Sequence, residues 1–162
     1  MSLYMHLYTA IESEQKALAQ IHQRIEKGEF WSYQEVLSSL VREEYKLWYI
    51  HANDANDAND NVKNTESDWY GFVMVQMLGS EAEIMYIFVD PSQRGLMLGS
   101  KLLSGCVAEL KKQGVSCLRL EVKEKNLAAQ NLYLNHDFVV TGRRKHYYRD
   151  GSTAIMMERK RL

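Results

Sequence analysis

The sequence predicts an α/β (α+β) chain. Its central sheet is mixed and mostly antiparallel, with about six to seven strands, one parallel pair and about four flanking helices. Three observations predict this. An apolar run at residues 84–89, a short turn carrying an arginine and two glycines, an amphipathic run over Leu98–Lys112 and a second apolar run at 117–122 form a strand–turn–helix–strand unit. That order gives a right-handed crossover between parallel strands. Upstream, apolar runs at 45–51, 69–78 and 84–89 follow one another as in an antiparallel meander. Downstream, Asp150-Gly151 lies between two apolar segments, a hairpin signal. The 162 residues suit a single domain, 1–162, with a core of its own.

Residues 3–8 read as the first strand. Ile11, Leu18, Ile21 and Ile25 recur at near-helical spacing and Gly28 follows, so a helix with a glycine stop is expected. Ser32 and Glu35 make a capping box for a second helix to about Leu40. Phe30, Trp31 and Tyr33 crowd the connection between these helices. Such aromatics either pack the helices onto the sheet or form one wall of a binding cleft. Ala-Asn-Asp then occurs three times from Ala52 to Asp60, and polar residues continue to Asp68. This low-complexity stretch (53–68) has little to bury and is expected to be a mobile loop joining two paired strands.

Gly79-Ser80 turns the chain into the strand at 84–89. Leu98, Leu102, Leu103, Cys106, Val107 and Leu110 share one face of the clearest helix, with Gly114 just past its end. Asn126 is placed to cap a helix from Leu127 to about Asn135. Residues 138–140, with a segment including Tyr147 and Tyr148, are expected to form the next strand, and residues 153–158 the last.

Composition excludes several classes. The net charge of −1 offers nothing to a polyanion such as nucleic acid. No apolar run reaches the roughly 18–20 residues of a membrane helix, and residues 1–10 do not read as a signal peptide. Cys106 and Cys117 read as reduced core residues of a cytoplasmic protein. No Cys/His cluster has zinc spacing, and the Asn/Asp run lacks the glycine and terminal glutamate of a calcium loop, so no metal is expected.

The turn after residue 89 suits a phosphate. A strand–turn–helix presents backbone N–H groups and the positive end of a helix dipole. No acidic residue occurs from Pro91 to Ala108, while Arg94 and Lys101 are basic. Further along, Glu121 lies inside an apolar strand, where it faces either water or a cleft in which its raised pKa suits a general base. Tyr133 lies two helical turns beyond Asn126 and on its face, with the small Ala129 between them. Asn126 alone reads equally as a cap, and Tyr133 alone as a core aromatic.

Together these segments carry a resemblance. Val89-Asp90-Pro91, Arg94-x-x-x-x-Gly99 and Leu102-Leu103 resemble the acyl-CoA-binding motif of the GNAT superfamily of N-acetyltransferases. Leu120-Glu121-Val122-x-x-x-Asn126-x-x-Ala129-x-x-Leu132-Tyr133, Phe138 and Arg143-Arg144-x-x-Tyr147-Tyr148 are similar to its RimI-type branch, the N-terminal alanine acetyltransferases of a ribosomal protein. Ile21-His22-Gln23-Arg24 followed by Trp31-Ser32 is similar to that branch as well.

The resemblance implies acetyl-CoA as donor. Its pyrophosphate would lie on the backbone of Gly95, Leu96, Met97, Leu98, Gly99 and Ser100, with Arg94 leading in. Its pantetheine would pair as a pseudo-strand with Ile87, Phe88 and Val89, and Asn126 and Ala129 would contact it. The backbone N–H near Val89 would polarise the thioester carbonyl. Glu121 would be the general base, acting through water, and Tyr133 the general acid that protonates the departing thiolate. Attack would be direct, and neither cysteine matches a nucleophile. Trp31, Tyr33, Arg143, Tyr147 and Tyr148 would border the acceptor cleft. Two positions depart from the pattern: Met97 and Asp137 stand where the family has glycine.

An α-amine has a pKa of about 7.7–8.0 against about 10.4 for lysine, which suits a protein N-terminus, such as that of a ribosomal protein, as the acceptor. A small-molecule amine or a lysine side chain is the second reading, and a non-catalytic acyl-CoA-binding module the third. A monomer or weak dimer without membrane or nucleic-acid partners is expected.

Overall fold

The computed structural model describes residues 2–7, 33–53 and 69–162. The expected helix at 11–25, the Ser32 cap, Trp31, the side chain of Tyr33 and the Ala-Asn-Asp run lie outside the described residues or side chains. Seven strands form one sheet in the order β1-β2-β3-β4-β5-β7-β6. They are β1 (Ser2–Leu7), β2 (Tyr45–Asn53), β3 (Trp69–Leu78), β4 (Glu81–Val89), β5 (Cys117–Lys123), β6 (Val139–Arg144) and β7 (Ala154–Lys160). The described α-helices are α1 (Tyr33–Leu40), α2 (Leu98–Lys112) and α3 (Leu127–Leu134). A 3-10 turn, Pro91–Gln93, follows β4.

Every strand pair is antiparallel except β4–β5, in accord with the predicted mixed sheet. The two central antiparallel strands are buried on both faces, which explains their near-continuous apolar sequence. Leu47, Tyr49, Phe72 and Met74 face one side and pack with Val36 of α1. Trp48, Ile50, Val73 and Val75 face the other and pack with Leu98, Leu102, Leu103 and Cys106 of α2. Helix α2 spans the predicted residues, and its end is closed as the glycine suggested. Gly114 adopts φ +79°, and the Gly114 and Val115 N–H groups return to Lys111 and Leu110 carbonyls. Cys106 and Cys117 are both buried free thiols.

One strand differs from expectation. β6 ends at Arg144, and residues 145–153 form an irregular turn before β7. Tyr147 and Tyr148 lie in that turn, not in a strand. Their N–H groups both reach the Ser152 carbonyl (3.1 and 3.2 Å). Asp150 accepts bonds from the Ser152 N–H and hydroxyl (3.0 and 2.6 Å), which hold its carboxyl well below the usual range. Asp150-Gly151 is therefore one corner of a wider turn, with Gly151 at φ +76°, rather than a two-residue hairpin loop. Aromatic β-propensity at Tyr147-Tyr148 was outweighed by this local hydrogen bonding.

Candidate active site

The two parallel strands pair only at one end. Register runs from Glu81 opposite Cys117 to Ile84 opposite Leu120 and stops there. β4 continues to Val89 and β5 to Lys123 without meeting. The cause lies across β4. Its pairing with β3 steps from Val75 opposite Ile84 to Met74 opposite Tyr86, so Met85 is an extra, bulged residue. A bulge bends its strand, and this one sits where the strands part. Beyond it, β4 has no strand partner on its β5 side among the described residues.

The gap is a cleft of about 410 Å³. Glu83 to Ile87 line it from β4, Glu121 to Lys123 from β5, and Asn126, Ala129 and Tyr133 from the α3 segment, with Tyr147 and Tyr148 at its rim. Successive strand residues point to opposite faces, yet both Glu121 and Val122 line the cleft. The cleft is therefore lined by residues from both faces of the sheet.

On one face stands Glu121. Its side chain is 16% exposed, and its Oε1 forms an ion pair with the Arg144 guanidinium at 2.9 Å. The Tyr147 hydroxyl faces the same carboxylate, whose hydrogen-bonding pull, with burial, holds it protonated to higher pH. Arg144 also lies over the Tyr147 ring, 5.5 Å from its centroid. Burial and the Glu121 charge push Tyr148 up to about 12. Lys123 lies over its ring at 5.4 Å. The Tyr147 and Tyr148 rings meet edge-on, 5.1 Å apart.

On the helical face, Tyr133 is buried, packs on Phe138 with centroids 5.6 Å apart, and is held protonated by burial. Asn126 caps α3: its Oδ1 accepts from the Ala129 N–H at 3.1 Å, which leaves its NH2 as a donor beside the cleft. Asp137, like the glycine it replaces, adopts a left-handed conformation (φ +62°) and closes the turn after α3.

The predicted anion loop lies where β4 meets α2. Arg94 is exposed, and its Nε donates to the Val89 carbonyl at 3.4 Å. Gly95 (φ +82°) and Met97 (φ +57°) turn the chain back on itself. Met97 is 74% exposed. Among the described residues no side chain caps α2, and the amides of Leu98, Gly99 and Ser100 have no acceptor within the helix. A Cβ on Gly99 would lie 3.3 Å from Leu132 and 3.8 Å from Val89, so this glycine lets α2 press against both α3 and β4. Ser100 Oγ and His136 Nε2 lie 2.8 Å apart and join α2 to the turn after α3. Burial, with Arg159 nearby, lowers the His136 pKa. This loop and the free edge of β4 fit an extended phosphorylated ligand: amides for its anion, then an unpaired strand edge for an amide-containing arm.

Other predicted residues lie elsewhere. Arg143 pairs with Glu124 at 3.0 Å and is largely exposed, whereas Arg144, not singled out in advance, reaches Glu121 across β7. Glu83 was also missed. Among the described residues, no group of three or more His, Cys, Asp or Glu side chains could hold a metal ion.

The acetyltransferase (GNAT) family's sequence model matches residues 18–138. The [ribosomal protein bS18]-alanine N-acetyltransferase of Haemophilus ducreyi is 38% identical over 110 residues, 65% of this chain and 76% of that protein. The Escherichia coli protein of the same name is 39% identical over 77 residues, 48% of this chain and 52% of that one. The crystal structure of the ribosomal-protein-S18-alanine N-acetyltransferase from Escherichia coli superposes with a TM-score of 0.76 at 28% identity, covering 97% of this chain and 94% of that chain. With the divided strand pair and the loop before α2, these similarities mean that the chain belongs to the GNAT family and is an acetyl-CoA-dependent N-acetyltransferase.

Proposed function

We propose that the enzyme acetylates the N-terminal α-amino group of a protein, with the N-terminal alanine of a ribosomal protein as the first acceptor to test. The observation that carries this reading is the cleft between the parted strands, lined by Glu121 from one face of the sheet and by Tyr133 from the other. Two substrates can meet there from opposite faces. The names of the similar enzymes support the acceptor.

In this reading acetyl-CoA binds on the helical face. Arg94 and the backbone from Gly95 to Ser100 hold its pyrophosphate. The free edge of Ile87, Phe88 and Val89 takes the pantetheine, and Asn126 and Ala129 flank it. The amine enters from the face of Glu121, past Tyr147 and Tyr148. Glu121 takes a proton from the amine, directly or through one water. Arg144 and Tyr147 fix the orientation of the carboxylate. The nitrogen attacks the thioester carbon while the Val89 N–H steadies the developing oxyanion. Tyr133 gives its proton to the departing sulfur. Burial keeps the Tyr133 hydroxyl protonated, so it holds a proton to give.

Residues 1–162 would act as one catalytic domain, a cytoplasmic monomer or weak dimer acting without membrane or nucleic acid. No helix among the described residues is long and apolar enough to cross a membrane. The test is release of CoA thiol with three acceptor sets: peptides with a free N-terminal alanine, the same peptides blocked at the N-terminus but carrying lysine, and small polyamines. Turnover confined to free N-termini is expected. Turnover on the blocked peptides or polyamines alone would overturn this acceptor.

A further inference from the structure

We infer that Glu83 is a second proton acceptor, so that two carboxylates, one on each parted strand, remove the two protons an ammonium acceptor must lose. The inference rests on the reading that Glu121 is the base.

A proton inventory calls for a second acceptor. Below a pH of about 8 an α-amine enters mostly as R–NH3+. Glu121 takes one proton and frees the lone pair. The nitrogen then forms its bond to the thioester carbon, and the carbonyl electrons move to oxygen. The adduct nitrogen is again positive and must lose a second proton as the carbonyl reforms and the C–S bond breaks. The sulfur leaves with the C–S electrons and takes the proton of Tyr133. One protonated carboxyl restores Tyr133, and the other releases its proton to water. The sum is one acetamide, one thiol and one proton. Tyr133 is a donor in this scheme, and Glu121 is already protonated when the second proton leaves. A second carboxylate at the cleft would take that proton without waiting for Glu121 to empty.

Glu83 is in position. It lies on β4 opposite Arg119 of the parallel partner strand. Side chains two apart on a strand share a face, so Glu83 and Glu121 project from the same side of the sheet. Both line the cleft. Their surroundings differ. Glu121 is held by Arg144 and Tyr147, whereas Glu83 makes no salt bridge among the described residues. The charged and titratable groups that face Glu83 are Glu121 and Arg119 from β5, Arg144 from β6 and Tyr147 from the turn after it. On β3 it is opposite the uncharged Gln76. Burial first, then the Glu121 charge, raises its pKa, as suits a carboxylate that accepts a proton near neutral pH.

The test compares wild type, Glu83→Gln and Glu121→Gln at saturating acetyl-CoA across a pH range of about 6.5 to 9, spanning the amine's own pKa. Glu83→Gln is expected to lose on the order of tenfold to a hundredfold in kcat at the acidic end, within the usual range for a general base. It should recover toward wild type at the alkaline end, where the amine enters neutral and one acceptor suffices. A structural role would not be rescued by pH. Independently of turnover, the Glu83 carboxyl carbon is followed by NMR in the free protein. It should titrate above the ordinary glutamate value of about 4.3 and move down in Glu121→Gln. An unchanged kcat, a loss constant across pH, or a Glu83 titration at the ordinary value unmoved by Glu121→Gln each overturns the inference. Full activity in Glu121→Gln would leave Glu83 as sole acceptor and overturn it too. If only small amines turn over, the peptide acceptor falls, and the same comparison on those amines decides the role of Glu83.

Discussion

The β4–β5 pair has a closed end and an open end, and the contrast explains the location of the site. At the closed end, Glu81 to Ile84 pair with Cys117 to Leu120. Ala82, Ile84, Leu118 and Leu120 are buried beneath, and Arg119 grips Glu81 through both carboxylate oxygens. At the open end the same two strands, equally apolar, part at the Met85 bulge and leave a cleft. One inserted residue separates structural pairing from a binding edge. The same step leaves Glu83 at the junction, still paired by backbone but facing the opening.

The largest effect expected from breaking this contrast is at Glu121. Glu121→Gln should lower kcat/KM at neutral pH by on the order of a hundredfold or more. Acetyl-CoA affinity by calorimetry should stay within about twofold, because the carboxylate faces the acceptor side. Gly71→Ala comes next and acts on the fold of the open end itself. A Cβ there would meet the Phe88 carbonyl at 2.4 Å, opposite Val89 in the register. Overpacking against backbone should destabilise by about 1–3 kcal/mol and weaken acetyl-CoA binding together with the melting temperature. Tyr133→Phe removes only the hydroxyl from a well-packed ring, so kcat should fall about tenfold with the melting curve little moved. The smallest effect belongs to the closed end. Arg119→Ala breaks a half-exposed ion pair and should cost within about 1 kcal/mol, with kcat far less affected than by Glu121→Gln. A loss of activity there as large as at Glu121 would dissolve the distinction between the two ends.

The same bulges mark what could be read from the chain and what could not. Helix α2 was legible to the residue because its apolar positions repeat at helical spacing, and the meander because its runs are interrupted by turn residues. The arginine that reaches Glu121 was not legible. Pairing of β6 with β7 steps from Val140 opposite Met157 to Gly142 opposite Met156, so Thr141 is bulged. Regular alternation would have put Arg143 on the face of Glu121. The bulge exchanges it with Arg144, as a one-residue slip must. Glu83 was hidden for a related reason. Glu81-x-Glu83 at a strand start reads as a solvated face, and only the parting of the strands beyond Ile84 turns its end into a cleft wall. The sharing of Glu121 between Arg144 and Tyr147 depends on a turn whose path follows from Ser152 and Asp150 rather than from any periodic pattern.

The two cysteines have a practical consequence. Cys106 is pushed up to about 12 by burial, and burial raises Cys117 as well. Reagents that detect free thiols react with thiolates. In the folded enzyme they therefore register the coenzyme released at each turnover against a nearly silent protein background. A slow rise in signal without acceptor present would report opening of the α2 packing rather than catalysis. One cuvette thus separates chemistry from unfolding, and each variant carries its own internal control for the integrity of the core.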